Sequence, residues 1–396
     1  MKNLRIKITL TGLMLAAGLC LNAQNRSIRF EEGSWRDILA KSAAEKKPVF
    51  LDAYTSWCGP CKWMSKNIFT NDTVADYYNG NFICAKIDME KGEGVEIAKK
   101  YDVRAYPTLL FIGQNGEVLH RLCGSREAAV FVQDGKNAFD NSLNYAGYRK
   151  KFEGGNMDPS FLGGYISYLS NACMPCDDIL NAYFRTQKPE ALTSRANWEM
   201  IKSFSRRVES PEFIYLETHL NDFSALYTRD SVGEKITDVY YDNMMTALHK
   251  KDSASYFHFR EKLRSSGLQQ AEKTMLYADM SYFSANGQWN KYAGAAELYI
   301  AKYGMNEWQL LNGVAWNFYE HLEDNTNLQK AMRWVNKSIQ LSDNYFNNDT
   351  RASLLYKLGR KDEAMKAAEA AIALAKKSGD DYKSTEDLLA KIREMK

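Results

Sequence analysis

Residues 48–64 read Pro48-Val49-Phe50-Leu51-Asp52-Ala53-Tyr54-Thr55-Ser56-Trp57-Cys58-Gly59-Pro60-Cys61-Lys62-Trp63-Met64, and the organisation of the first third of the chain follows from them. From Val49 to Tyr54 the run is almost wholly apolar, as expected of a strand buried on both faces. Asp52 interrupts it, and an acid inside such a strand needs a reason. Directly after the strand come two cysteines separated by two residues, and Trp63, Met64 and Ile68 continue as a helix that opens at them. A cysteine at a helix N-terminus faces unpaired backbone N–H groups and the positive end of the helix dipole, both of which favour its thiolate. Cys58 is therefore expected to be the nucleophile. Cys61, one turn further on the same side and more buried, is expected to resolve a mixed disulfide formed by Cys58. Pro60 is tolerated because the first helical turn has no hydrogen bond to lose. The competing reading, a structural disulfide or half a zinc site, is disfavoured by the strand-before, helix-after setting.

Working outward, Ser34 with Asp37 three residues on caps a helix through Trp35, Ile38 and Leu39 that ends near Lys47. Downstream, a strand runs from Phe82 to Ile87 and a helix passes through Ile97 to Tyr101. Strands Thr108–Ile112 and Glu117–Leu122 then flank Asn115-Gly116, a strong hairpin signal. Gly124 breaks the last strand and Ser125 caps another helix. This order demands an α/β fold, a mixed sheet with helices on both faces. Beyond Asn141 strand signals disappear, which places a boundary between Ala138 and Tyr148 and predicts an all-α domain over 142–396. Within it, Ala331-Met332-Arg333 through Leu341 recurs 33 residues later as Ala364-Met365-Lys366 through Leu374. That period is tetratricopeptide-like, clearest over 312–376, with Leu358-Gly359 at the turn between paired helices and Trp289–Tyr303 fitting an earlier, more divergent unit.

A formal net charge of +3 with both signs interspersed gives no electrostatic footprint for nucleic acid or an anionic membrane surface. At the start, Lys2, Arg5 and Lys7 precede an apolar run from Ile8 to Leu21 that ends in Ala23, the pattern of a secretory signal peptide over 1–23. The run is short for a retained span, so no membrane span is expected in the mature chain, which is expected to begin at Gln24 in an exported, periplasmic protein. Cys20 follows Leu19 rather than a small residue, so it is counted as lost with the signal rather than as a lipid anchor.

The segment from about Arg29 to Phe139 resembles thioredoxin and related periplasmic disulfide-reductase domains. The resemblance rests on the hexad Trp57–Lys62, on Ala98, Tyr101 and Val103, and on Tyr106-Pro107-Thr108. It implies a thioredoxin-like fold, a redox-active Cys58–Cys61 disulfide, and a Pro107 that is cis and lies against that disulfide. By the same resemblance Asp52 is the buried acid that assists proton transfer at the second cysteine, and Lys86 is the lysine near it. Trp57, Gly59, Pro60, Tyr106 and the Cys123-Gly124 segment fall on the surface that contacts substrates, where an extended client segment pairs beside the proline. The implied activity is protein-disulfide oxidoreduction, and Gly59-Pro60 between the cysteines resembles the reducing members. Two positions depart from the pattern. Tyr106 is bulkier than the usual residue before the proline, and Cys123 puts a third thiol where an apolar residue is usual.

Cys84 reads as a small buried hydrophobe. Cys173-Met174-Pro175-Cys176 imitates the first pair locally, but no buried strand leads into it, and it is expected to be a structural or incidental disulfide between helices. More than a hundred residues separate the two pairs, against about 15–20 in a four-cysteine zinc site, so no metal is expected. No flavin or nicotinamide motif is present, so no cofactor is expected either, and a reducing enzyme of this kind would be recharged by an upstream electron-donor reductase. Expected partners are disulfide-containing or thiol client proteins, with a protein partner on the helical domain. The alternatives are a disulfide oxidase or isomerase, or a helical-repeat binding protein that carries a thioredoxin module.

Overall fold

The structure is a computed structural model and describes residues 26–395. The expected signal segment 1–23 and Cys20 lie outside the described residues. Two compact units divide the chain after Pro189.

In the first unit, helix α1 (Trp35–Glu45) is capped by Ser34 and leads into β1 (Val49–Tyr54). There follow α2 (Gly59–Asn67), α3 (Asp72–Asn81), β2 (Ile83–Asp88), α4 (Gly94–Lys100), β3 (Thr108–Ile112), β4 (Val118–Cys123) and α5 (Ala128–Asn137). The sheet order is β2-β1-β3-β4, with β1 parallel to β2 and antiparallel to β3, and β3 antiparallel to β4. Burial of both faces of β1 accounts for its near-continuous apolar sequence. Phe50 joins Met64, Phe69, Tyr78, Phe111 and Phe131 on the side that carries α2. Leu51 and Ala53 join Trp35, Ile97, Tyr101, Leu110 and Ile112 on the other.

This alternation gives Asp52 its reason. Successive strand residues point to opposite faces, so Asp52 lies on the Phe50 side, beneath α2. The β1–β2 register sets Lys86 beside it.

Two local expectations are corrected. One helix is expected between the first two strands, containing Ile68; α2 instead ends at Asn67 with Ile68 as its C-cap, and a second helix, α3, starts where Asn71 accepts from Val74 N–H. Ser125 does not cap the next helix; α5 begins after Glu127, and Arg126 instead donates to the carbonyls of Cys123, Gly124 and Ser125.

Three further helices belong to the first unit: α6 (Tyr145–Glu153), α7 (Pro159–Asn171) and α8 (Asp177–Arg185). The loss of strand signals near Asn141 thus precedes the unit boundary by three helices. Tyr168 of α7 holds β4: its hydroxyl accepts from Arg121 N–H at 3.0 Å, donates to Arg121 O at 3.1 Å, and lies 2.9 Å from His120 Nδ1. The buried Arg121 guanidinium donates to the carbonyls of Tyr101, Asp102 and Ala172, so that its charge is solvated by backbone.

The second unit is a succession of helices from Arg195–Phe204 to Lys383–Glu394. The repeated segments are the helices Asn325–Leu341 and Lys361–Ser378. Ala331, Val335 and Ser338 in one, and Ala364, Ala368 and Ala371 in the other, are fully buried at matching positions, so the 33-residue period is one of small residues facing neighbouring helices. Gly359, at φ 73, makes the turn before the second of them. Among the described residues no helix is long and apolar enough to cross a membrane.

Candidate active site

Cys58 is the N-cap of α2. Its Sγ accepts from Cys61 N–H at 3.1 Å, the bond through which a helix terminus stabilises a thiolate. The two cysteines are joined, with S–S 2.02 Å and Cα–Cα 5.3 Å. One expectation fails here: in the disulfide Cys58 is 3% exposed and Cys61 2%, so burial does not distinguish them. What differs is their setting, Cys58 at the helix cap and Cys61 in the first turn, lining an open cavity of about 340 Å³ with Thr55, Ser65, Lys62, Lys66 and Lys86.

Asp52 is 1% exposed, and burial raises its carboxyl from 3.8 to about 6, with Lys86 pulling the other way. Lys86 Nζ stands 3.5 Å from Asp52 Oδ2, near enough for an ion pair and too far for a strong hydrogen bond. The same Nζ donates to Ser65 Oγ, which donates to Cys61 O at 3.0 Å. A carboxyl that takes up and releases a proton near neutrality is thereby coupled to the turn holding Cys61. Ser65 was not anticipated, although its position four residues after Cys61 puts it on the same helix face.

The Tyr106–Pro107 bond is cis, as the resemblance implied. Gly124, at φ 83, donates its N–H to Pro107 O at 2.8 Å, tying the end of β4 to this edge. Trp57 is 64% exposed and meets Tyr106 edge to face at 5.9 Å between centroids. Its indole N–H donates to Glu90 at 2.9 Å, a partner 33 residues away that no sequence pattern signalled. A side chain at Gly59 would meet nothing within 4 Å, so that the surface beside Cys58 is open. Trp57, Gly59 and Pro60 thus lie at the start of α2 around Cys58, and Tyr106, Pro107 and Gly124 at the β3–β4 edge, the two regions meeting at the Trp57–Tyr106 contact.

The remaining cysteines require a correction. Cys173 is bonded to Cys123, with Cα–Cα 5.7 Å, and not to Cys176. Cys123 is therefore not a third thiol. Tyr168 and Ala172, clamped on β4 through Arg121, bring Cys173 to the end of that strand, a juxtaposition across 50 residues with no local signature. Cys84 is buried in β2, and burial pushes its thiol up to about 12, which leaves it inert.

A cysteine pair at a helix start, a cis-proline edge and a buried acid on a mixed sheet define a thioredoxin-like oxidoreductase. Residues 27–136 match the family model described as Thioredoxin. A thioredoxin-like protein of Synechocystis is 34% identical over 91 residues, 23% of this chain and 81% of that one, and the chain belongs to the thioredoxin family. Thioredoxin-1 of Drosophila melanogaster is 40% identical over 73 residues, 18% of this chain and 64% of that one, so the match spans just under two thirds of that relative. A candidate disulphide-isomerase from Bacteroides thetaiotaomicron, solved in solution, is 48% identical, with 30% of this chain and 98% of that chain covered at a TM-score of 0.28.

Proposed function

We propose that this chain is an exported protein-disulfide reductase whose working groups are Cys58 and Cys61. In this reading the Cys58 thiolate attacks one sulfur of a client disulfide and the client's other sulfur leaves as a thiolate, giving a mixed disulfide. Cys61, its proton passed to Asp52, then attacks Cys58 Sγ. The client departs with both thiols reduced, and the Cys58–Cys61 pair is left oxidised by two electrons. The single observation that carries this is the Cys58 cap, whose Sγ accepts from Cys61 N–H. An Asp52 carboxyl held at about 6 supports its role as proton acceptor. Lys86 acts on it as a positioning residue, and Trp57, Tyr106 and Gly124 frame the client segment. Export is supported by the Lys2–Ala23 pattern, and the reductive direction by Gly59-Pro60. An upstream reductase would restore the dithiol, and the helical unit would bind a protein partner.

The test is the reduction potential of the Cys58–Cys61 pair together with dithiol-driven reduction of a model disulfide protein. A potential near about −270 mV agrees with a reductase, and one near about −120 to −180 mV assigns an oxidase or isomerase instead.

A further inference from the structure

The Cys123–Cys173 bond and the nearby Cys176 are not used by the mechanism above. We propose that Cys123, Cys173 and Cys176 form a second thiol–disulfide centre, in which Cys176 exchanges with the Cys123–Cys173 bond and releases a thiol at Cys123 beside the Pro107 edge.

Exchange needs a reachable sulfur, an attacking thiolate and a stabilised leaving group. Cys173 is an exposed residue, in the turn between α7 and α8, and is the solvent-facing partner through which the bond would be attacked. Its backbone stands in the left-handed region at φ 52, a conformation that few non-glycine residues adopt and that opening the bond would let the turn leave. Cys176 is the N-cap of α8, where unpaired N–H groups and the helix dipole favour a thiolate, although Asp177 and Asp178 in the same turn oppose this. Its spacing from Cys173 equals that of Cys58 from Cys61, which closes at 5.3 Å between Cα atoms. The leaving sulfur is placed well: Arg126 donates to Cys123 O at 2.9 Å, bringing a cation next to the thiolate that would form.

The location supplies the consequence. Cys123 pairs with Thr108 in the β3–β4 register, and the next residue, Gly124, donates to Pro107 O. A thiol released there lies on the edge where a client segment is expected. The step balances without an external oxidant or reductant. Cys176 gives its proton to solvent and attacks Cys173 Sγ, the Cys123–Cys173 bond breaks as Cys173–Cys176 forms, and the Cys123 thiolate takes a proton from solvent. One disulfide and one thiol are present before and after.

The inference does not depend on the direction assigned to Cys58 and Cys61, so it is tested with both of those replaced by serine in the full mature chain. The unreduced protein is held at mildly alkaline pH, quenched in acid, alkylated, digested and searched by mass spectrometry for linked peptides. The expected result is a Cys173–Cys176 peptide alongside the Cys123–Cys173 peptide, with Cys123 alkylated in the former, and loss of that species when Cys176→Ser is added. A Cys123→Ser variant, treated with a small-molecule disulfide as oxidant, should form Cys173–Cys176. Finding only the Cys123–Cys173 peptide in the first experiment, or no Cys173–Cys176 link in the second, overturns the proposal.

Discussion

Replacing Asp52 with asparagine should stabilise the protein near neutral pH while slowing its chemistry. Burial raises the Asp52 carboxyl from 3.8 to about 6. The folded chain therefore keeps this proton over an interval in which the unfolded chain has released it, and stability falls as pH rises through that interval. The penalty is absent below about pH 3.8 and complete above about pH 6. At about 1.4 kcal/mol per pH unit it comes to roughly 3 kcal/mol, an upper figure because relaxation of the surroundings softens burial. Asparagine has no charge to desolvate, and Lys86, 24% exposed, can recover its hydration when its partner is gone. Denaturation followed by hydrogen exchange at the β1 and β3 amides reads the unit that holds the residue. Wild type and Asp52→Asn should nearly coincide at about pH 4 and separate by about 1–3 kcal/mol at about pH 7.5, the variant being the more stable. Disulfide reduction at neutral pH should slow roughly tenfold or more, because on the proposed mechanism Cys61 loses its proton acceptor. A stability difference that is the same at both pH values would refute the argument.

Trp57→Ala should raise KM for a model disulfide protein while changing stability by no more than about 0.5 kcal/mol, since the ring is largely exposed; a matching loss of stability in a thermal melt would make Trp57 structural. Tyr168→Phe removes the hydroxyl that serves Arg121 and His120, and should cost about 1–3 kcal/mol in denaturant unfolding; no change would mean that α7 is not held to β4 through it. A fragment ending at Pro189 should fold and reduce a generic disulfide, whereas one ending at residue 145 should be markedly less stable, because it strips β4 of Tyr168, Ala172 and Cys173. Thermal melts and activity of the two fragments decide this, and equal stability would contradict it.

What the chain revealed in advance was local. A buried strand feeding a capped helix is a short-range pattern, and it placed β1, α2 and the Cys58–Cys61 pair at the helix start. Period-two alternation and the β1–β2 register then explain why Asp52 and Lys86 meet. The failures were of two kinds. The break between α2 and α3 depends on one asparagine cap amid residues that tolerate a continuous helix. The Cys123–Cys173 bond, the Trp57–Glu90 contact and the membership of α6, α7 and α8 in the first unit join residues far apart in sequence. No periodicity announces such contacts, and the spacing of Cys173 and Cys176 pointed to a nearer partner than the one the tertiary packing supplies.

Central to the account is the proposed division of labour between Cys58 and Cys61, which burial does not support and the helix cap does. Cys61→Ser removes the resolving thiol, so mixed disulfides formed by Cys58 should accumulate, while Cys58→Ser should form almost none. Each variant is expressed with its natural N-terminus, free thiols are quenched with acid and an alkylating agent, and adducts are compared on a non-reducing gel. The account predicts client adducts on Cys61→Ser that a reducing agent releases and that persist when Cys123, Cys173 and Cys176 are also replaced. Equal trapping by the two variants, or trapping that vanishes with those three cysteines, would contradict it.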